Sequence, residues 1–420
     1  MSFDWPEVRL GDYIDSCLGK MLDKKKNKGT LQPYLGNSNV RWGNFDLNDL
    51  AQMKFEDSEH ERYSLESGDL VVCEGGEPGR CAIWEGEVEG MKIQKALHRV
   101  RPNQYLNNYY LYYWFLYAGK TGSLEPYFTG TTIKHLTGRA LANLPIRIPP
   151  LDIQLQCVSV LYSLDKKISH NIKTNQTLEE MAQAIFKSWF VDFDPVKAKM
   201  NGEQPEGMDE ATASLFPEKL DSETGIPVGW SQGIIADIAK LNAKSWTKKN
   251  QPEQVHYVDL ANTKNGVIET VTTYDFEEAP SRARRVLNSG DTIVGTVRPG
   301  NRSFAFIGET EQPLTGSTGF AVLSPKKEFW TSFVYLATTN DDAIDEYARL
   351  ADGGAYPAIK PVVIADTPCV IPTKDIAQKF WQLTGVMLKK AHQNRLENEE
   401  LAKLRDALLP KLLSGELTLD

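Results

Sequence analysis

Two long stretches of this chain carry a helical pattern. From Leu151 to Phe190 apolar positions return every three or four residues, collecting Leu161, Leu164, Ile168, Leu178, Ala182, Ile185 and Trp189 on one seam, with Asn171 and Asn175 in its middle. That is the heptad spacing of a coiled coil. Residues 374–413 repeat the segment without gaps, Asn394 falling on Asn171 and Asn398 on Asn175. The second seam is Thr384, Met387, Ala391, Asn394, Asn398, Leu401, Arg405, Leu408 and Leu412, which is less apolar, so a shifted frame through Leu396 and Leu404 competes with it. Two similar seams can pair antiparallel around a pseudo-two-fold axis, because each then faces its own equivalent. The four asparagines would meet at the centre, where amides satisfy one another and penalise slipped registers. The alternative is that each helix caps its own domain.

Outside the helices the pattern changes to short apolar runs punctuated by glycine and proline, and these runs also occur twice. SGDLVV at 67–72 returns as SGDTIV at 289–294, and WPEVRLGDYI from Trp5 resembles WSQGIIADIA from Trp230. Each SGD phrase is followed by a Pro-Gly pair, Pro78-Gly79 and Pro299-Gly300, which reads as a turn between two strands. The aromatic segments YLNNYYLYYWFLY (105–117) and EFWTSFVYLA (328–337) each read as one helix, their aromatic stripes as core rather than stacking platforms. GTTIKHL (130–136) matches GGAYPAIKP (353–361), and the prolines of LPIRIPP (144–150) and TPCVIPT (367–373) mark the exits. The expected architecture is mixed α/β (α+β), an internal repeat of two similar globular domains at 1–150 and 227–372. Each is followed by a spacer helix, 151–193 and 373–420, and an acidic linker at 194–226 joins the halves. Asp69 and Asp291 of the repeated phrase read as turn or strand-end residues, not catalytic acids.

Charge and composition narrow the classes. No apolar run approaches the roughly 20 residues of a membrane span, and the N-terminus lacks a signal-peptide pattern, so a cytoplasmic location is expected. Cys17, Cys73, Cys81, Cys157 and Cys369 form no CxxC pair, which argues for reduced thiols rather than disulfides or zinc. Most of the net charge of −9 sits in 201–226, where Glu203, Glu206, Asp209, Glu210, Glu218, Asp221 and Glu223 face Lys219 alone. The remainder is close enough to neutral that basic loops could bind phosphate. Motifs for catalysis are missing: no Walker A, no GxGxxG, no amino-methyltransferase (Asn/Asp)-Pro-Pro-(Tyr/Phe), no HExxH, no GxSxG. A duplicated domain on helical spacers, without such motifs, points to binding at two similar targets, and helices of about 40 residues would make a ruler of about 60 Å.

Candidate DNA contacts lie in the loops. In the second domain Arg282, Arg284, Arg285, Arg298 and Arg302 border the SGD strand, and Arg298, Asn301 and Arg302 in the turn are favoured, arginine suiting both phosphate and guanine edges. The first domain has Glu77 and Arg80 in the corresponding turn, so the two domains would read different half-sites. Lys24, Lys25, Lys26 and Lys28 form a basic loop suited to phosphate, with Lys244, Trp246, Lys248 and Lys249 in the equivalent place. Thr131, Thr132 and Lys134, and Tyr356 and Lys360, sit in the matching glycine-containing loops. Asn37, Asn39 and Arg41 could read base edges, although capping and turn roles are commoner for such asparagines.

Four segments, IPPLDIQ (148–154), MAQAIFKSWFVDFDPVKAKM (181–200), FPEKLDSETGIPVGW (216–230) and LRDALLPKLLSGEL (404–417), resemble the specificity subunit of type I restriction-modification systems, and the resemblance covers nearly the whole chain. It implies that 1–150 and 227–372 are target recognition domains, each reading one part of a split double-stranded DNA sequence, and that the helices dock partners. The implied partners are two adenine-N6 methyltransferase subunits carrying S-adenosylmethionine and two restriction subunits driven by ATP and magnesium, this chain holding no cofactor itself. A scaffold without DNA affinity and a self-contained DNA-modifying enzyme are the competing classes.

Overall fold

The computed structural model describes residues 5–23 and 27–417, and the chain forms two compact units, Met1–Ser169 with Asn398–Asp420 and His170–Glu397. Both boundaries fall inside the long helices, Leu151–Phe190 and Lys374–Ser414. The first unit therefore owns the start of the first helix and the end of the second, and the second unit owns the remainder. Residues 150 and 372 mark where a helix is about to begin, whereas packing divides the chain midway along both helices.

Each unit is built on the same antiparallel four-stranded sheet. In the first its order is Ile14–Leu18, Leu97–Pro102, Leu70–Cys73, Cys81–Ile83. In the second it is Ala239–Leu241, Phe320–Pro325, Thr292–Gly295, Phe304–Phe306. The repeated phrase supplies the third strand each time, and every residue of Leu70–Cys73 and Thr292–Gly295 is buried, which is why neither run carries a charge. A smaller sheet accompanies each. Thr30–Leu35 pairs antiparallel with Ala51–Phe55 and parallel with Lys92–Ile93; Gln254–Val258 pairs likewise with Thr272–Asp275 and Leu314–Ser317, which adds Ala283–Leu287. Glu7–Arg9 with Pro145–Arg147, and Ser231–Ile234 with Pro368–Ile371, join entry and exit of each domain just before a long helix starts.

The aromatic segments are core helices, Asn108–Thr121 and Thr331–Thr339. The Asn107 side chain accepts from the Tyr109 and Tyr110 amides at the start of the first, and Gly122 ends it at φ 71°. Tyr110, Tyr113, Phe115, Phe333 and Tyr335 are buried. In the first unit this layer packs with Cys157, Leu161, Leu409, Leu412 and Leu413 of the long helices; in the second it packs with Ala182, Phe186, Trp189, Phe190, Ile376 and Phe380.

The long helices run antiparallel in each unit. Cys157 meets Leu412, Asp165 meets Arg405 and Ile168 meets Asn398 in the first; Asn171 meets Glu397, Asn175 meets Asn394, and the Phe190 and Phe380 rings lie 4.8 Å apart in the second. Rising numbers on one helix thus pair with falling numbers on the other. The unshifted frame is the buried one: Thr384, Ala391, Asn394 and Leu412 are inside, while Leu396 and Leu404 are 45% and 48% exposed. Leu164, Ile168, Leu178, Met387, Leu401 and Leu408 are half-buried beside it. Part of the amide bonding repeats between the halves, Asn175 bonding Ala391 where Asn398 bonds Ile168. Asn394 Nδ2 donates to Asn175 Oδ1 (2.8 Å), whereas Asn175 Nδ2 donates to the Ala391 carbonyl (3.0 Å), Asn171 Nδ2 to Glu397 (2.8 Å) and Asn398 Nδ2 to the Ile168 carbonyl (3.5 Å).

The acidic stretch expected to be a linker is structured. It contains helices Asp194–Met200 and Glu210–Ser214, and Val196, Phe216, Ile226 and Trp230 enter the core of the second unit. Its acids are exposed, so the composition reports a solvated surface over a row of apolar anchors. Among the described residues no helix is long and apolar enough to cross a membrane.

Candidate nucleic-acid interface

The turn after each SGD strand is built the same way in both units. In the first, Glu74 N–H donates to the Ala96 carbonyl, Cys73 N–H to Arg80, and the Glu74 carbonyl accepts from Leu136, which brings loop 130–135 against loop 74–80. In the second, Thr296 N–H donates to Gly319, Gly295 N–H to Ser303, and the Thr296 carbonyl accepts from Ile359, which brings loop 352–358 against loop 296–302. The companion loops close alike, through a Thr129–His135 bridge and an Asp352–Ala358 bridge. The SGD aspartates hold the strand start. Asp69 accepts from the Glu66 amide at 2.8 Å and Asp291 from the Asn288 amide at 2.8 Å. Asp69, 1% exposed, also takes Arg101 in a two-pronged pair at 2.7 and 2.9 Å. Among the described residues no arginine pairs with Asp291; burial pushes its carboxyl up, while its Asn288 bonds pull it back down.

On this shared frame the side chains differ. In the second unit Arg298 is exposed, its guanidinium 4.6 Å from the centre of the Tyr356 ring, with Nη2 donating to the Ala355 carbonyl at 2.7 Å. Tyr356 is 69% exposed, and Asn301, Lys360, Lys244, Lys248 and Lys249 are exposed as well. The other arginines have internal work. Arg302 bonds Asn265 at 3.0 Å and pairs with Asp341; Arg282 pairs with Asp259 and Tyr257; Arg285 bonds Ser245; Arg284 lies over Phe276. Trp246 is half-buried and donates to Thr315 at 2.9 Å.

In the first unit Thr131, Thr132 and Lys134 are exposed on the loop tip, Lys134 lying 3.9 Å from Glu125, and Ile133 between them is 64% exposed. Arg80 is held by Glu77 at 2.9 Å and by the Asn37 carbonyl at 3.0 Å, and Glu77 also accepts from Trp42 at 2.7 Å. Asn39 is a turn residue, accepting from Gly36 at 2.9 Å and donating to the Asp46 carbonyl at 3.0 Å. Arg41 is exposed and donates to the Ser38 and Val40 carbonyls. Asn37 fills the space beside Gly76, and its Oδ1 is buried without a hydrogen-bond partner. Lys28 is exposed; Lys24, Lys25 and Lys26 lie outside the described residues.

Sequence reasoning missed how each globular domain is fastened to the helices. In the first unit the Tyr113 hydroxyl donates to Asp165 at 2.8 Å, and Asp165 is paired with Arg405 at 2.8 Å, which turns the awkward arginine of the second seam into a bridge. In the second unit the Tyr335 hydroxyl donates to Glu179 at 2.6 Å; burial pushes that carboxyl up, and Tyr335 and Arg395 hold it back. Tyr112, whose hydroxyl lies against Gly43 as that of Tyr335 lies against Gly266, is the residue at the matching place in the repeat, so the two ties are not equivalent and an alignment of the halves does not carry the signal. Gln154 of the IPPLDIQ motif, fully buried, likewise ties the helix start to the Asn107 amide at 2.7 Å and to the Tyr105 and Pro149 carbonyls.

Residues 3–180 match the protein family described as "Type I restriction modification DNA specificity domain". Over these residues the chain is similar to this specificity domain. It is 22% identical over 467 residues to the type I restriction enzyme HindI specificity subunit of Haemophilus influenzae, covering 99% of this chain and 100% of the relative. It is 26% identical over 342 residues to the MjaIX specificity subunit of Methanocaldococcus jannaschii, covering 79% and 74%. In fold it is similar to the crystal structure of the type I restriction-modification S subunit from M. genitalium, with a TM-score of 0.55 at 15% identity, 99% of this chain and 97% of that one being covered. The matched residues include loops 74–80 and 130–135 of the first unit.

Proposed function

We propose that this chain reads a bipartite DNA target, one unit to each half-site, and carries no catalytic group of its own. What supports this is the pair of loops described above: the same backbone bonds recur in both units, while Gly76, Glu77 and Ile133 stand in one where Arg298, Pro299 and Tyr356 stand in the other. A shared frame with different side chains is the design expected of two readers of different sequences, since base edges are told apart by the donors, acceptors and apolar groups offered to them. The antiparallel helix pair would hold the readers and dock two methyltransferase subunits and, in the full enzyme, two restriction subunits. S-adenosylmethionine, ATP and magnesium would belong to those partners. Coexpression with the neighbouring methyltransferase, purification of the complex and genome-wide mapping of methylated adenines test the reading. A two-part motif with a fixed gap is expected; a contiguous motif, methylation without a motif, or failure to copurify would overturn it.

A further inference from the structure

We propose that Arg298 is a guanine-reading residue of the second unit and that Tyr356 is the positioning residue that aims it; this rests on the DNA-specificity reading above. The backbone at this point must turn left-handed. The first unit obeys with Gly76 at φ +75°, the residue type that adopts this region freely, whereas the second unit places an arginine there at φ +48°. A side chain has thus been put where the fold favours none, at a cost in strain.

That side chain is then fixed from three directions. The Arg298 amide donates to the Pro357 carbonyl at 2.7 Å, its Nη2 to the Ala355 carbonyl at 2.7 Å, and its guanidinium lies on the Tyr356 ring. Gly353 and Gly354, both at positive φ, bend the loop that presents the ring. Among the described residues Arg298 has no ion pair, unlike Arg282 and Arg302. What remains is a planar fork with donors to spare, preset in orientation and open to solvent. A phosphate contact needs a positive charge and tolerates a mobile one; two acceptors on one base edge, the O6 and N7 of guanine, reward a fork held in plane. The tyrosine supplies that plane, which accounts for an aromatic ring left 69% exposed. In the first unit a Cβ at Gly76 would lie 2.4 Å from the Asn37 amide, so a side chain at this position there would first have to displace Asn37.

The experiment uses the complex with the methylating partner and maps modified sites for the wild type and for R298A, R298G, R298K, Y356A and Y356F. R298A is expected to make one guanine in one half-site degenerate, discrimination falling roughly 5- to 150-fold, with the other half-site unchanged. R298K is expected to lose it too, having charge without a fork. R298G is expected to lose the same base while melting no lower than the wild type, since glycine relieves the strain, which separates misreading from misfolding. Y356A is expected to weaken the preference at that same base and Y356F to restore it. Equal weakening at all sequences would mean a phosphate contact and overturn the proposal, as would a half-site without guanine or a Y356A map identical to the wild type. A wild-type map without any motif would overturn the underlying specificity reading as well.

Discussion

Replacing Asn394 with leucine tests whether the amides at the middle of the helix pair act as a bonded set. Asn394 is 2% exposed, and its Nδ2 donates to Asn175 Oδ1 at 2.8 Å; Asn175 in turn donates to the Ala391 carbonyl. N394L leaves the Asn175 oxygen without its donor, a loss of about 1–3 kcal/mol, nearer the lower end because Asn175 is half-buried. N175L strands the Asn394 amide instead, at a similar cost of about 1–3 kcal/mol. The double variant removes both partners and fills the seam with side chains of similar volume, while the Ala391 carbonyl keeps its helical bond. Its stability is expected within about 1 kcal/mol of the wild type, a coupling close to the sum of the two single losses, roughly 2–6 kcal/mol. Urea unfolding followed by far-ultraviolet circular dichroism measures all four proteins, and size-exclusion chromatography reports whether the double variant slips register and associates. Additive losses in the double variant, or two silent single variants, would refute the bonded pair.

Three further outcomes follow from the packing. R101A strips the buried Asp69 carboxylate of its two-pronged partner and is expected to destabilise by about 3–5 kcal/mol, read as a lowered urea midpoint; a loss below about 1 kcal/mol would mean that the pair is dispensable. Asp291 is held above the ordinary carboxylate range by burial, so its charged form is disfavoured in the fold. Stability contributed at this site should therefore rise as pH falls from above its folded value toward the unfolded one, and D291N should flatten that part of the stability–pH curve; an unchanged curve would refute the assignment. G308A places a Cβ 2.2 Å from the His392 ring and is expected to cost about 1–3 kcal/mol in unfolding assays, relieved in G308A/H392A and unrelieved if the clash lies elsewhere.

Much of this was legible in the sequence because the fold writes it twice. The SGD phrase, the aromatic helices and the asparagine-bearing seams each stand at two matching places, and repetition separates a structural requirement from chance. The segments of the family resemblance turn out to be packing residues: Phe186, Trp189, Phe216, Trp230, Leu409 and Leu412 are all buried, and Gln154 is a buried tie. The acidic stretch misled because exposed acids outnumber its anchors, so composition registers the solvated side and not Val196, Phe216 and Ile226 beneath it. The arginines could not be sorted from sequence, since Arg302 and Arg298 sit four residues apart and only geometry gives one an aspartate and the other an aromatic ring. Arg405 was a blemish in a heptad until Asp165 appeared opposite.

The division of labour between the units is tested most directly by two loop variants compared on one methylation map, each in complex with the methylating partner. One carries alanine at Thr131, Thr132 and Lys134, the other at Arg298 and Tyr356. Independent half-site readers require that the two variants degrade different halves of the motif and leave the gap length unchanged. Two variants that blur the same half, or either one that blurs both, would contradict it.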